Sequence, residues 1–187
     1  MANPIPDFDH NLVLPPHLGD PTKRDQLSPY RCTTLDLCQR LGHSVERRQI
    51  LGLFLDFRDR LRTAGLINGF QWLDGSFLED IEAREQRAPR DLDLVTVFWG
   101  YDRPFLVNLL AAVPEVADRA LAKATYSLDH FPFDAGFSPE LTLETTRYWI
   151  LLFSHNRIGV WKGMLQIDLN TEAVDAAARL ELASHTP

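Results

Sequence analysis

Asp91 and Asp93 stand two residues apart at the head of an apolar run, DLDLVTVF, from Asp91 to Phe98. A run rich in Val, Leu and Thr reads as a strand, and side chains two apart on a strand share a face, with Cα atoms roughly 6.6 Å apart. Two carboxylates that close raise each other's pKa and cost energy when both are ionised. A divalent cation removes that cost. Magnesium takes carboxylate oxygens together with waters and phosphate oxygens, so an acidic pair at a strand end suits a metal-bound triphosphate. A second ion about 3.5 to 4 Å from the first would activate an attacking oxygen while the first steadies the leaving group.

A third acid would complete such a site. Asp129, in TYSLDHF, is the first candidate, because a strand there could pair beside Asp91 to Phe98 and aim its carboxylate at the same edge; Asp168, in GMLQIDL, is the reserve. Gly75-Ser76 follows the apolar segment Phe70 to Leu73 and reads as a tight turn. Without a side chain Gly75 permits close approach, and the following amides and the Ser76 hydroxyl are donors for phosphate oxygens.

The elements that must position these groups follow from periodicity. Residues 3 to 31 hold Pro4, Pro6, Pro15, Pro16, Pro21 and Pro29, which predicts an extended arm over residues 1–43, laid on a body of residues 44–187. Ile50, Leu53, Phe54, Phe57 and Leu61 have helical spacing, with Ser44 as cap and Gly65 as stop. Residues 77 to 87 are charged and predict a short exposed helix, ended by Pro89. Phe105, Leu106, Leu109, Leu110 and Val113 form a further helix, with Pro104 in its first turn and Pro114 at its end. Another helical piece runs to about Lys123, a strand covers Thr125 to Phe131, and the length of Glu140 to Phe153 favours helix. A strand in GMLQIDL and an Ala-rich helix from Asn170 or Thr171 close the chain. Strands interleaved with helices make this an α/β (α+β) fold with a mixed sheet.

The order of these pieces, WLDGSF, then DLDLV, then YSLDHF, resembles the nucleotidyltransferase superfamily typified by DNA polymerase β. VLPPHLGDP, the helix after Ser44 and the late YWILLFSHNRIGVWKGMLQIDL look like an uncharacterised bacterial family within it, so the likeness covers most of the chain. The resemblance implies a nucleotidyltransferase-like mixed β-sheet flanked by helices. It implies that Asp91 and Asp93 bind Mg2+, one ion or two, that Asp129 completes a metal site and helps the attacking hydroxyl, and that Gly75 and Ser76 hold a nucleoside triphosphate such as ATP. GSFLED lacks the arginine that minimal members place soon after Gly-Ser; Arg84, Arg87 or Arg90 are the substitutes at hand. The implied reaction moves a nucleoside monophosphate onto a hydroxyl of a protein or small molecule, by analogy in a toxin–antitoxin or phage-defence setting. The alternative is a module of the same fold that binds a nucleotide or a partner without turnover, and a third reading is a metal-dependent phosphoesterase.

Bulk properties narrow the partners. The 187 residues suit one domain. A formal net charge of -7 repels phosphate backbones and disfavours extended nucleic acid. No stretch reaches the roughly 18 apolar residues of a membrane span and no secretory leader is visible, so a cytoplasmic protein is expected. Cys32 and Cys38 match neither a zinc nor a redox spacing, and His10, His17, His43, His130, His155 and His185 show no ligand spacing. Tyr148, Trp149 and Trp161 read as core, with stacking on a base as the other use. The polar loop SHNRIGVWKG, with His155, Arg157 and Lys162, reads equally as a phosphate contact or a solvated turn.

Overall fold

A computed structural model describes residues 4–184; residues 1–3 of the arm and 185–187, with His185, lie outside the described residues. The strands are β1 (Tyr30–Arg31), β2 (Gly69–Asp74), β3 (Leu92–Phe98), β4 (Leu128–Asp134) and β5 (Leu165–Asp168). The helices are α1 (Thr34–Leu41), α2 (Val45–Thr63), α3 (Ile81–Glu85), α4 (Arg103–Ala112), α5 (Arg119–Tyr126), α6 (Pro139–Phe153) and α7 (Glu172–Ser184). Together they make an α+β fold around one mixed sheet of order β1-β5-β2-β3-β4. β2 is antiparallel to both β3 and β5, while β4 runs parallel to β3 and β1 parallel to β5.

Local chemistry sets most element ends. The Ser44 side chain accepts the Arg47 amide to cap α2, Asp102 caps α4 with Pro104 in its first turn, and Ser138 caps α6. Each cap satisfies an amide that the first turn of a helix leaves without a partner.

Three expectations change. From residue 4 to Pro29 the arm is irregular apart from a 3-10 turn at Arg24–Gln26, but Tyr30–Arg31 then adds a strand to the edge of β5, and α1 follows behind a Thr33–Asp36 capping box. Leu37, Cys38 and Leu41 of that helix are buried, so apolar spacing inside residues 1–43 builds part of the body. The segment 77–87 is a short exposed helix only in its second half: a 3-10 turn, Ser76–Leu78, precedes the short α3, and Phe77, Leu78 and Ile81 are fully buried while Ala83 and Glu85 are exposed. Finally, Thr125 and Tyr126 belong to α5, and the strand begins at Leu128 rather than Thr125. The Tyr126 ring packs 5.4 Å from Phe57 of α2, and Ser127 closes the helix in the left-handed region at φ 55. Tertiary packing here outweighs the β-propensity of Thr and Tyr.

The two faces of the sheet differ. Leu73, Leu92, Leu94, Leu128 and Ile167 belong to the larger core, with Leu51, Phe54, Phe57 and Leu61 of α2. Trp72, Val95, Val97 and Phe133 belong to a smaller core with Trp149 and Phe153 of α6. Strand alternation makes this division strict, since consecutive residues of one strand take opposite faces. Between α2 and the sheet, buried Arg58 donates to Gln71, Asp175 and the Asp168 carbonyl, and so ties β2 and β5 to α2 and α7. No helix among the described residues is long and apolar enough to cross a membrane.

Candidate functional site

Asp74 on β2 lies opposite Asp93 on β3, and Asp93 lies beside Asp129 on β4. Three adjacent strands thus carry three acids in one row, at the end of the sheet where β2 gives way to the Gly75-Ser76 turn. Two residues further along each strand the same face carries Trp72, Val95 and Phe131, which pack beneath α6. The acids are the point at which the apolar face stops, and the end of α6 with the loop after it closes over them.

Each acid has a different electrostatic setting. Asp129 is buried, and the exposed guanidinium of Arg119 grips it through two nitrogens, Nη2 lying 2.5 Å from Oδ2. Asp91, just ahead of β3, pairs with Lys123 Nζ at 2.5 Å. Arg119 and Lys123 are four apart on α5, so one helix face supplies both cations. Asp93 has no hydrogen-bond or ion-pair partner for its side chain among the described residues. Burial, then the neighbouring Asp91 and Asp129 carboxylates, push its pKa up to about 6.

Asp74 is held from the other side. Lys162, almost completely buried, places Nζ 2.9 Å from Asp74 Oδ1, 2.9 Å from Glu79 Oε1 and 2.8 Å from the Gly75 carbonyl. Burial raises the Asp74 pKa to about 7 although Lys162 pulls it down. For Lys162 itself burial lowers the pKa, but Asp74 and Glu79 more than offset this and leave it above the usual lysine range. Three acceptors around one buried ammonium fix the path of the chain from Asp74 through Glu79. Arg47 of α2 secures the same segment from behind, donating to the Phe77 and Glu79 carbonyls at 2.7 Å each and to Glu82.

These groups line a cleft of about 660 Å3. Asp91, Asp93, Asp129, Gly75 and Ser76 all border it, so the five residues singled out by type and spacing are brought together. Asp168 is not: it pairs with Phe70, at the opposite end of β2 from Asp74 and roughly 13 Å along the strand. Seven cationic side chains and six acidic ones line the cleft, in a chain whose net charge is -7. Arg84 pairs with Glu79 and Glu85, and Arg87 with Glu85, whereas Arg90 and Arg157 have no ion-pair partner among the described residues. Of the three arginines offered as substitutes after Gly-Ser, Arg90 is therefore the one left uncommitted.

Sequence reasoning missed Asp74, Glu79, Arg119 and Lys123, and left Lys162 undecided between phosphate and solvent. Signals existed for some of them. Arg119 and Lys123 share a helical face one turn ahead of the strand that bears Asp129, and a lysine flanked by Val160, Trp161 and Met164 is placed for burial with an acid. Trp149 is core as expected, but Tyr148 and Trp161 are exposed. Burial pushes the Cys38 thiol up to about 12 and the Cys32 thiol higher still, so neither is a nucleophile near neutral pH.

The donor set suits magnesium in kind: carboxylate oxygens, one of them on an acid with no partner. Gly75 supplies a cradle for that acid, since a Cβ there would come within 1.8 Å of Asp93 Oδ2. Among the described residues, no three acids, histidines or cysteines are arranged to hold an ion by themselves, and Arg119 pairs with Asp129 and Lys123 with Asp91. Ion binding at this place would need those two exposed cations to yield, or a phosphate oxygen to complete the set.

A family model described as a family of unknown function (DUF6932) matches residues 6–168, a span that includes the acid row, the Gly75-Ser76 turn and Lys162. No curated protein and no solved structure matches the chain.

Proposed function

The chain belongs to that family, and we propose that it is a magnesium-dependent nucleotidyltransferase, moving a nucleoside monophosphate from a nucleoside triphosphate onto a hydroxyl of a protein or small molecule. The observation that carries this reading is Asp93: an unpartnered carboxylate between Asp91 and Asp129, against a glycine turn, in a cleft richer in cations than the rest of the chain. The resemblance of WLDGSF, DLDLV and YSLDHF to the nucleotidyltransferase superfamily supports it. A cytoplasmic setting, where triphosphates and magnesium abound, goes with it.

Asp91, Asp93 and Asp129 are the residues that would hold the ion. Bound magnesium would neutralise the triphosphate and the carboxylates together. The chain's own groups do the positioning. The bare Gly75 backbone and the Ser76 hydroxyl receive phosphate oxygens, and Arg90 and Arg157, which have no ion-pair partner among the described residues, offer guanidinium groups from the cleft walls. The acceptor oxygen forms its bond to the α-phosphorus, and the bridging oxygen leaves with the electron pair of the broken bond as pyrophosphate. Asp129 takes the hydroxyl proton once Arg119 turns to the phosphates. Most of the rate comes from orientation and charge complementarity, as phosphoryl-type transfer requires little covalent chemistry of a protein.

The test is incubation with magnesium and each of the α-labelled nucleoside triphosphates, alone and with lysate. Label should move to an acceptor with the natural protein and fall on the order of 100-fold or more in Asp93→Asn. Absence of transfer with every triphosphate overturns the reading. A second reading, a module that binds nucleotide without turnover, is favoured by the Arg119–Asp129 and Lys123–Asp91 pairs, which use the site's acids internally. It predicts binding without label transfer, whereas a phosphoesterase releases phosphate without an acceptor.

A further inference from the structure

The wall of the acid cleft divides by chemistry. Outside residues 152–158 its lining side chains are all charged, apart from Ser76 and the bare Gly75. Its apolar side chains, Leu152, Phe153 and Ile158, come from that one segment, the last turn of α6 and the hairpin that the His155–Trp161 bridge closes. Leu152 is 49 % exposed and Ile158 74 %, so two large apolar groups stand open beside a field of charge.

The hairpin is braced internally and fastened to the phosphate turn. Asn156 Oδ1 accepts the Ile158 and Val160 amides, and the Asn156 amide donates to the Val160 carbonyl at 3.0 Å. At its foot the Lys162 amide donates to the Ser154 carbonyl at 2.9 Å, while Lys162 Nζ holds the Gly75 carbonyl at 2.8 Å. His155 also borders the cleft, its ring edge-on to Trp161 with centroids 4.7 Å apart. Its neighbours fix which nitrogen carries the hydrogen. Ser154 Oγ donates its only hydrogen to the Leu151 carbonyl at 3.0 Å, so the 2.9 Å contact between Ser154 Oγ and His155 Nδ1 requires Nδ1 to be the donor. In the neutral ring the lone pair is then on Nε2, which has no partner among the described residues.

We infer that residues 152–158 seat the nucleobase of the triphosphate, with His155 Nε2 accepting a hydrogen bond from an amino group on that base; this rests on the phosphate-binding half of the reading above. A nucleobase has two apolar faces and a polar edge. Set among the guanidinium and carboxylate groups of the opposite wall, its faces would strip water from charges and give them no partner in return. Against Leu152 and Ile158 the same faces cover apolar surface that is already exposed, and the edge meets a nitrogen that accepts and cannot donate. Such a nitrogen takes an exocyclic amine, as on adenine, guanine or cytosine, and repels the carbonyl oxygen that stands in its place on uracil. The position within the site agrees. The segment is tied to Gly75 at the end of β2, whereas the incoming hydroxyl meets Asp129 on β4, two strands and roughly 10 Å away. Base and acceptor thus take opposite sides of Asp93.

The test is calorimetric titration of the full chain, with magnesium present, against inorganic tripolyphosphate and three pairs of nucleoside triphosphates that differ at the amine: ATP and purine riboside triphosphate, GTP and inosine triphosphate, CTP and UTP. At least one amine-bearing triphosphate should bind roughly fivefold or more tightly than its counterpart. His155→Phe, which keeps a ring against Trp161, should erase that preference. Ile158→Ser, a neutral change at an exposed position, should weaken the same nucleotide roughly tenfold and leave tripolyphosphate unchanged. No amine preference in any pair, a preference that survives His155→Phe, or an Ile158→Ser variant that binds nucleotide as the natural protein does overturns the inference. Tripolyphosphate bound as tightly as every nucleotide overturns it as well and leaves the phosphate site standing. Because the readout is binding, amine-selective binding with no label transfer keeps this seat and removes the transferase reading instead.

Discussion

Asp93 occupies the space that a side chain on residue 75 would need: a Cβ built on Gly75 would come within 1.8 Å of Asp93 Oδ2 and 2.7 Å of its Cγ. Gly75 also has φ 81 and ψ -170, a backbone region open to glycine and closed to other residues. The turn and the central acid are therefore one unit. Four expectations follow from how that unit is held.

Gly75→Ala should cost about 1–3 kcal/mol in backbone strain alone, with more from displacing Asp93. Urea unfolding should show a lower midpoint, and the same variant should lose label transfer. A midpoint equal to that of the natural protein would mean that the turn can relax without moving Asp93.

Asp93, raised to about 6, retains a proton that an unfolded aspartate gives up near pH 3.9. Between those values the native state binds more protons than the unfolded chain, so this group's contribution to stability declines as pH rises from about 4 to about 6. Asp93→Asn should lose less stability than the natural protein over that interval, read from urea midpoints at several pH values. Binding of Mn2+, which needs the ionised carboxylate, should rise through the same window in the natural protein. A Mn2+ affinity flat from pH 5 to 7 would contradict this.

Lys162→Met leaves Asp74 and Glu79 buried, with Glu79 retaining its pair with Arg84. Removing one member of a buried ion pair costs about 3–5 kcal/mol, so the variant should unfold at much lower denaturant. Adding Asp74→Asn should restore part of the loss. Failure of the double change to recover any stability would show that the Glu79 or Gly75 contact carries the effect.

Arg119 and Lys123 are more than half exposed where they meet Asp129 and Asp91. The acids they meet are only 10 % and 19 % exposed, so the double change to Ala should cost more than the loss of a fully exposed pair, about 1–3 kcal/mol for a buried acceptor left without its donor, read from urea midpoints. The freed carboxylates should bind Mn2+ several-fold more tightly in the absence of nucleotide, measured by water proton relaxation. Weaker Mn2+ binding would mean that the two cations order the acids rather than compete for them.

Much of this was legible in the residues, because its causes are local. The richness in Val, Leu and Thr after Asp91 marked β3, Ser44 and Pro104 marked the starts of α2 and α4, and Gly75-Ser76 marked the turn. The misreadings fall where a distant contact overrides a local preference. Tyr126 stays helical to reach Phe57, and Tyr30–Arg31 becomes a strand because β5 has a free edge to receive it. Ser76 to Ile81 turns inward because Arg47, far back in the chain, satisfies the Phe77 and Glu79 carbonyls.

The sequence alone determined that Asp91 and Asp93 come together at the head of β3, Asp91 one residue ahead of the strand, and that a glycine bend precedes them, since strand preference and backbone freedom act within a few residues. Only the tertiary structure decided which acids join them. Parallel pairing set Asp129 beside Asp93, and antiparallel pairing set Asp74 on its other side. It also decided charge: whether an acid is paired, buried or left alone depends on Arg119, Lys123 and Lys162 arriving from other elements. A carboxylate's energy in a folded chain is set by what surrounds it in space, and register fixes those surroundings only once the sheet has closed.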